Sequence, residues 1–258
     1  MLRSLTISFA LAFAASAQAD DLVIPPPPPT IIDAMAPAKV LPKIWTGSVE
    51  LGLAGADGNS ENFKLRAGAN LKFDSDPHFM KVDLLYSNSS ANSILTENRF
   101  LGQSRYERKL GDSPWSWFVS GAVETDEFKA FDYRLSGHTG LAYTFVKNDE
   151  MLLKTRFGAG GSREFGGTNN SFTPELLFGV DYERKLNDRV KFVANVDYFP
   201  NINRFSDYRL EARATLDFLV DPTWNLTLRL GVLDRYDSTP EGRKPNDIEY
   251  NVTLLWKF

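Results

Sequence analysis

Tyr250-Asn251-Val252-Thr253-Leu254-Leu255-Trp256-Lys257-Phe258 is the stretch whose reading decides the fold. Every second residue from Tyr250 is apolar or aromatic, and the residues between, Leu255 apart, are polar. That is the period of a strand with one apolar face. An amphipathic strand of a soluble sheet has the same alternation. Its position separates the two cases: an apolar strand ending on an aromatic at the chain terminus gains little in water. In a lipid-embedded β-barrel the last strand has to pair with the first, because hydrocarbon offers no partner to an open edge.

The same period runs back through the chain. Trp45, Gly47, Val49, Leu51 and Leu53 share one face, as do Phe63, Leu65, Ala67, Ala69, Leu71 and Phe73, and then Met80, Val82, Leu84 and Tyr86. Comparable segments lie near residues 97–109, 115–123, 133–145, 151–159, 176–182, 190–198, 208–218 and 224–232. With the closing stretch they make an all-β, up-and-down antiparallel barrel of twelve strands, ten or fourteen being the alternatives. Connections after the even-numbered strands are short turns, such as Asp74–Pro77 and Gly111–Pro114. The others read as longer and polar, among them Ser87–Ser93, Gly160–Ser171, Pro200–Phe205 and Asp237–Asn246. Short turns at one rim and longer loops at the other form the outer-membrane pattern.

Aromatics on the apolar parity sharpen this. Trp45, Phe73, Tyr106, Trp115, Phe145, Tyr182, Phe218, Trp224 and Trp256 fall toward the short-turn rim. Phe63, Tyr86, Phe100, Tyr133, Phe172, Tyr198, Tyr208 and Tyr250 fall toward the other, with Leu, Val, Ala and Gly between. Two aromatic belts flanking an aliphatic band match the two interfaces of a bilayer. The opposite parity then faces a lumen. It carries Lys64, Arg66, Lys81, Arg105, Arg134, Lys154, Arg156, Lys191, Arg209, Arg213 and Arg229, against Glu50, Asp83, Glu107, Glu124, Glu175, Asp181, Glu183, Asp197, Glu211, Asp217 and Glu249. Equal numbers of each sign point to cross-strand ion pairs in a narrow interior rather than to a strongly charge-selective pore.

Upstream, Met1-Leu2-Arg3 is a short basic segment, Leu5 to Ala15 is apolar, and Ala17-Gln18-Ala19 precedes Asp20. Residues 1–19 read as a secretory signal peptide, too short in its apolar core to span a membrane. Residues 20–43 hold Pro25 to Pro29, Pro37 and Pro42 and read as an extended periplasmic tail whose partner the sequence does not name. The domain reading is therefore 1–19, 20–43 and 44–258. The chain has no cysteine, hence no lipoprotein anchor and no disulfide. Removing residues 1–19 takes away Arg3 and no acid, leaving 28 basic against 33 acidic residues and a net charge of −5, a poor match for nucleic acid.

Catalytic chemistry finds little support. His138 is on the lumen parity and Ser104 on the lipid parity, so a lipid-facing Ser–His pair is not formed. His78 falls in a short turn. Asp57-Gly58-Asn59-Ser60-Glu61 is too short for a calcium loop of the twelve-residue type and reads as a turn. No cofactor or metal site is expected, and no enzyme activity.

Trp45-Thr46-Gly47-Ser48-Val49-Glu50-Leu51-Gly52 followed by Gly58-Asn59-Ser60-Glu61-Asn62 resembles the opening of the YdiY-like family of salt-induced outer-membrane proteins. Arg105-Tyr106-Glu107, the stretch Glu124 to Arg134, and Gly140-Leu141-Ala142-Tyr143 are similar too, with Ala142 standing where the family tends to have Gly. The resemblance covers roughly residues 44–258. It implies a transmembrane barrel and leans toward a role in salt or envelope stress; it transfers no catalytic residue. The functional expectation is a narrow passive channel for ions or small solutes. The alternative is a non-conducting barrel that supports the envelope. Lumen-lining candidates are Arg66, Asp83, Arg105, Glu107, Arg134, Arg156, Glu183, Arg209, Glu211, Arg213 and Arg229. Tyr250, Val252, Leu254, Trp256 and Phe258 resemble the terminal signal that the barrel-assembly machinery recognises, which places the protein among outer-membrane lipid.

Deleting Phe258 is expected to lower the amount of folded barrel in outer-membrane fractions far more than neutralising any single lumen charge. Normal membrane levels of the deletion would remove this reading of the terminal strand.

Overall fold

The computed structural model describes residues 45–56, 61–167, 170–240 and 244–258. The signal-peptide and Pro-rich readings, and most of the Asp57–Glu61 turn, lie outside the described residues. Twelve strands follow one another: β1 (Trp45–Ala56), β2 (Asn62–Ser75), β3 (His78–Ala91), β4 (Ile94–Lys109), β5 (Trp115–Asp126), β6 (Tyr133–Lys147), β7 (Met151–Phe165), β8 (Phe172–Lys185), β9 (Val190–Asn201), β10 (Arg204–Asp221), β11 (Leu226–Asp237) and β12 (Asn246–Lys257). Each pairs antiparallel with its neighbour in sequence, and β1 pairs with β12, closing the barrel.

Closure rests on a short seam. β1 and β2 are in register over twelve residue pairs, from Trp45↔Phe73 to Ala56↔Asn62. β1 and β12 share only Ser48↔Lys257, Val49↔Trp256, Glu50↔Leu255 and Leu51↔Leu254. Two further backbone bonds extend the seam at the chain end: the Gly47 N–H donates to the Phe258 carbonyl and the Phe258 N–H to the Gly47 carbonyl, each at 3.0 Å. The Phe258 ring lies over Gly47, and a Cβ on Gly47 would come within 2.5 Å of the ring. Glycine is therefore required at residue 47 for lack of space rather than for its backbone angles, and the terminal aromatic occupies what the glycine vacates.

The faces are inverted relative to a water-soluble barrel. Leu53 is 64 % exposed and Val252 62 %, whereas Arg66 is 7 % exposed and Glu107 3 %. Val49, Leu51, Leu84, Val119, Leu135, Leu141, Val180, Leu230 and Leu254 are also exposed on the outer face. A continuous apolar exterior around a charged interior is favourable only where the surroundings are hydrocarbon, so the barrel is transmembrane. Aromatic pairs ring one rim, with Trp45–Phe73 centroids 4.9 Å apart and Trp115–Tyr143 at 4.8 Å. Tyr133–Phe165 at 4.7 Å and Tyr208–Tyr236 at 5.4 Å lie toward the other. The band between is not purely aliphatic, because Phe157 packs on Phe178 at 5.2 Å.

Three expected loops are in fact strand. β3 continues through Ser87–Ala91 and turns at Asn92 and Ser93, with φ of 49° and 61°. β7 continues through Gly160 to Phe165, and β9 and β10 leave only residues 202–203 between them. A bilayer needs about 9–11 residues of tilted strand; β10 has 18 and β4 has 16. Beyond the lipid both faces of a hairpin meet water, so the alternation that marks a strand in sequence disappears while backbone pairing continues. The rule of long loops at one rim thus fails at residues 92–93 and 202–203. On the outer parity, Arg163 is paired with Phe172 and Asp234 with Ile248 near that rim, and Arg108 is paired with Trp117 and Arg184 with Met151 by the short-turn rim.

Gly47→Val is expected to reduce the folded fraction markedly, read as loss of the heat-modifiable band on electrophoresis. Gly121→Ala, where the nearest atom to a new Cβ is 3.7 Å away, is expected to fold normally. Equal behaviour of the two would separate seam closure from the Phe258–Gly47 contact.

Candidate functional site: the charged lumen

Because strand residues alternate between faces, the register fixes which charges meet inside. Toward the rim that carries Phe258, Arg229 makes a two-point contact with Asp217, Nε–Oδ1 2.7 Å and Nη2–Oδ2 3.0 Å, and reaches Glu50 at 3.0 Å. Lys257 donates to the same Asp217 at 3.0 Å, and Lys191 to Glu183 at 2.5 Å.

The middle is crossed from wall to wall. Arg156 grips Asp181 with two bonds of 3.0 Å and reaches Asp197 at 2.8 Å. Arg105, on β4, lies 3.0 Å from the same Asp181 on β8 and 2.9 Å from Glu107. β4 and β8 are four strands apart in the ring, so this pair is a strut through the interior. Lys154 of β7 adds another to Glu107 at 2.5 Å. Asp83 accepts from Asn70 at 2.7 Å and pairs with Lys81 at 3.0 Å.

Toward the opposite rim, Arg66 meets Glu249 at 2.6 Å, and Arg134 meets Glu164 and, at 3.6 Å, Glu124. Glu175 gathers Arg209 at 2.9 Å, Ser162 at 2.9 Å and the His138 ring nitrogen Nε2 at 3.2 Å. His138 and Arg209 both pack on Phe199, at 5.2 and 5.1 Å.

Glu211 and Arg213, also inward on β10, take part in none of these pairs. Of the eleven lumen-lining candidates, the structure joins nine into ion pairs. The terminal-strand residues Tyr250, Val252 and Leu254 face outward and are exposed, while the Trp256 and Phe258 rings pack at a tilt of 54° with centroids 5.8 Å apart. Of the two histidines, His138 is buried against Glu175, and His78 bonds the Tyr106 hydroxyl at 2.7 Å by the short-turn rim. Among the described residues no three metal-ligating side chains converge.

Sequence parity missed several members. Arg99 is 4 % exposed and pairs with Glu124 at 3.0 Å; it shares parity with Arg105, so the signal was present. Arg235, Glu164 and Lys257 also join the network. The apolar members are a different matter. Leu101, Phe118, Leu177, Leu233 and Leu255 point inward and are buried, and Lys72, Arg105 and Lys154 surround the Phe79 ring at 5.3–5.9 Å. Both faces of those strands are apolar there, so alternation carries no sign of which one is the lumen.

Three cavities lie in series. One of about 340 Å³ is lined by Glu124, Arg134, Glu175, Arg209, Glu211 and Arg235 among others. The next, about 130 Å³, shares Glu124, Arg134, Arg209 and Glu211 with it and adds Arg105, Asp181 and Arg213. The third, about 60 Å³, shares Asp83, Gln103 and Arg213 with the second and adds Glu50, Arg66 and Arg229.

A family model described as "Protein of unknown function, DUF481" matches residues 49–258. No curated protein matches the chain. Among solved structures, the NanC porin is similar over 83% of this chain and 100% of its own, with 12% identity and a TM-score of 0.47. An outer membrane channel from Pseudomonas putida F1 is similar over 86% and 99%, with 10% identity and a TM-score of 0.47. The KdgM porin gives 83% and 99%, 10% identity and 0.45. Identities and scores of this size carry no residue-level correspondence.

Asp181→Asn leaves the Arg105 and Arg156 guanidiniums without their shared carboxylate. Removing one partner of a buried pair strands the other charge, and a loss of about 3 kcal/mol is expected, measured as the urea midpoint in detergent. Lys185→Ala, which breaks an exposed pair with Asp188, is expected to leave the midpoint unchanged.

Proposed function

The chain belongs to the family described as protein of unknown function DUF481, whose description assigns no activity, and on that premise we propose that it is an outer-membrane β-barrel acting as a narrow passive channel for ions or small solutes. The observation that carries this reading is the series of three cavities that shrinks from one rim, past the Arg105–Asp181 strut in the wall of the second, to the narrowest beside Arg66, Arg213 and Arg229. Water-sized space enters from one rim, and the passage is narrowed by side chains rather than by backbone. Side-chain ion pairs can part and re-form on the timescale of rotamer motion, whereas a folded plug domain could not. The near balance of inward charge argues for weak ion selectivity. The role is transport or leakage without catalysis, in keeping with a lumen whose titratable groups are nearly all engaged with one another. A part in salt or envelope stress follows from the family resemblance. So does the reading of residues 1–19 as the export signal, 20–43 as a periplasmic tail, and Tyr250–Phe258 as the segment handed to the assembly machinery.

A second reading is favoured by the inner-face apolar residues. Phe118 and Leu255 are fully buried, and the Phe79 ring is packed under three cationic side chains. A barrel filled in this way serves as a non-conducting envelope element.

Planar-bilayer recording on the refolded protein separates the two. The channel reading expects small, stable current steps that roughly double when Arg105→Ala or Asp181→Asn removes the strut. Silent membranes for the wild type and both variants would establish the non-conducting barrel instead.

A further inference from the structure

The structure adds Arg99, Glu164, Arg235 and Lys257 to the inner face, and among the eleven inward charges of each sign that sequence parity assigns, pairing is nearly complete. Among the described residues, twenty of those twenty-two have an oppositely charged partner within 4.0 Å. The two without one are Glu211 and Arg213. They are two residues apart on the inner face of β10, about 7 Å along the strand, yet they form no ion pair with each other. Arg213 Nε is buried and has no hydrogen-bond partner. Both side chains line the cavity of about 130 Å³. Glu211 also lines the wider cavity outside it, and Arg213 the narrower one beyond. The cavity thus has an unengaged carboxylate at its entrance and an unengaged guanidinium at its far end.

The neighbouring charges act on them through space, Asp83 on Arg213 and Arg99 and Arg209 on Glu211, but none forms an ion pair with either. Arg209 is held by both oxygens of Glu175, Arg105 and Arg156 by Asp181, and Asp83 by Lys81. A buried guanidinium nitrogen without a partner, as at Arg213 Nε, is unfavourable unless water or a ligand supplies one. The space amounts to room for on the order of ten waters, enough for a small organic solute. Gln103, Ser120, Ser136 and Asn195 contribute further polar groups to its wall.

We propose that this cavity is a binding site for a small zwitterion of the amino-acid type, its carboxylate held by Arg213 and its ammonium by Glu211. A simple anion would satisfy Arg213 and leave Glu211 unmet; a simple cation would do the reverse. A molecule with both charges a few bonds apart meets both demands and adds no net charge to a balanced lumen. The inference rests on the channel reading for its meaning as a solute pathway, but its geometry does not depend on current flow.

The test is calorimetric titration of the refolded full chain in detergent with glycine, with acetate and methylammonium as single-charge probes. Saturable glycine binding is expected, weakened on the order of tenfold or more by Arg213→Gln and by Glu211→Gln, with neither single-charge probe competing. The double exchange Glu211→Arg with Arg213→Glu keeps both charges in the cavity and is expected to recover part of the binding. Heat-modifiable mobility on electrophoresis confirms that each variant is folded. Absence of binding, binding insensitive to either single variant, or acetate binding as tight as glycine would overturn the proposal. A barrel that binds glycine but passes no current overturns the channel reading alone; one that conducts without binding glycine overturns this inference alone.

Discussion

The whole structure depends on one demand of hydrocarbon: every backbone N–H and C=O within it must find a partner in the protein. Eleven of the twelve strand interfaces join neighbours in sequence, each tied by a hairpin. The twelfth joins β1 to β12, with no turn to hold it, and it is the shortest. The contact between Phe258 and Gly47 finishes that seam on the lipid side, with reciprocal backbone bonds beneath the ring. The terminal aromatic is thus a structural component of closure.

Closure at twelve strands in turn sets the interior. Such a barrel is wider than eight-stranded ones, which side chains fill, and narrower than the large porins with open aqueous channels. The inward side chains here resolve the intermediate size by meeting across it. Arg105 reaches from β4 to Asp181 on β8, and Lys154 from β7 to Glu107 on β4. The carboxylate that accepts the first strut, Asp181, is itself fixed by the two-point contact from Arg156 on the neighbouring strand. Buried ion pairs add little net stability compared with apolar packing of the same volume, so their abundance is better explained by the need to keep a lumen hydratable. The apolar inner residues Phe118, Leu177 and Leu233 take up the remaining space where no polar partner is available.

Much of this was legible along the chain. Period-two alternation from Trp45 to Phe258 gave the strand count, the parity of each charge and the two aromatic belts, because a residue in a strand has only two directions to point. It failed where physical constraint on a face lapsed. Ser87–Ala91, Gly160–Phe165 and the approach to Ile202 are strand in the structure, but they extend past the lipid and carry no apolar face to reveal them. The inward apolar residues failed for the opposite reason: Trp117, Phe118 and Val119 are all apolar, so the pattern is silent about which of them is inside.

By itself the sequence determined that this is a lipid-facing barrel of alternating strands with a charge-balanced interior, since lipid and water impose their preferences residue by residue along each strand. Only the tertiary structure decided which charges are partners. That choice depends on register, on stagger around the ring and on reach across the lumen, none of which leaves a local trace. Arg209 and Arg213 are alike in parity, both inward on β10. One is held by Glu175 from β8, while the other lies at the neck between two cavities and forms no ion pair.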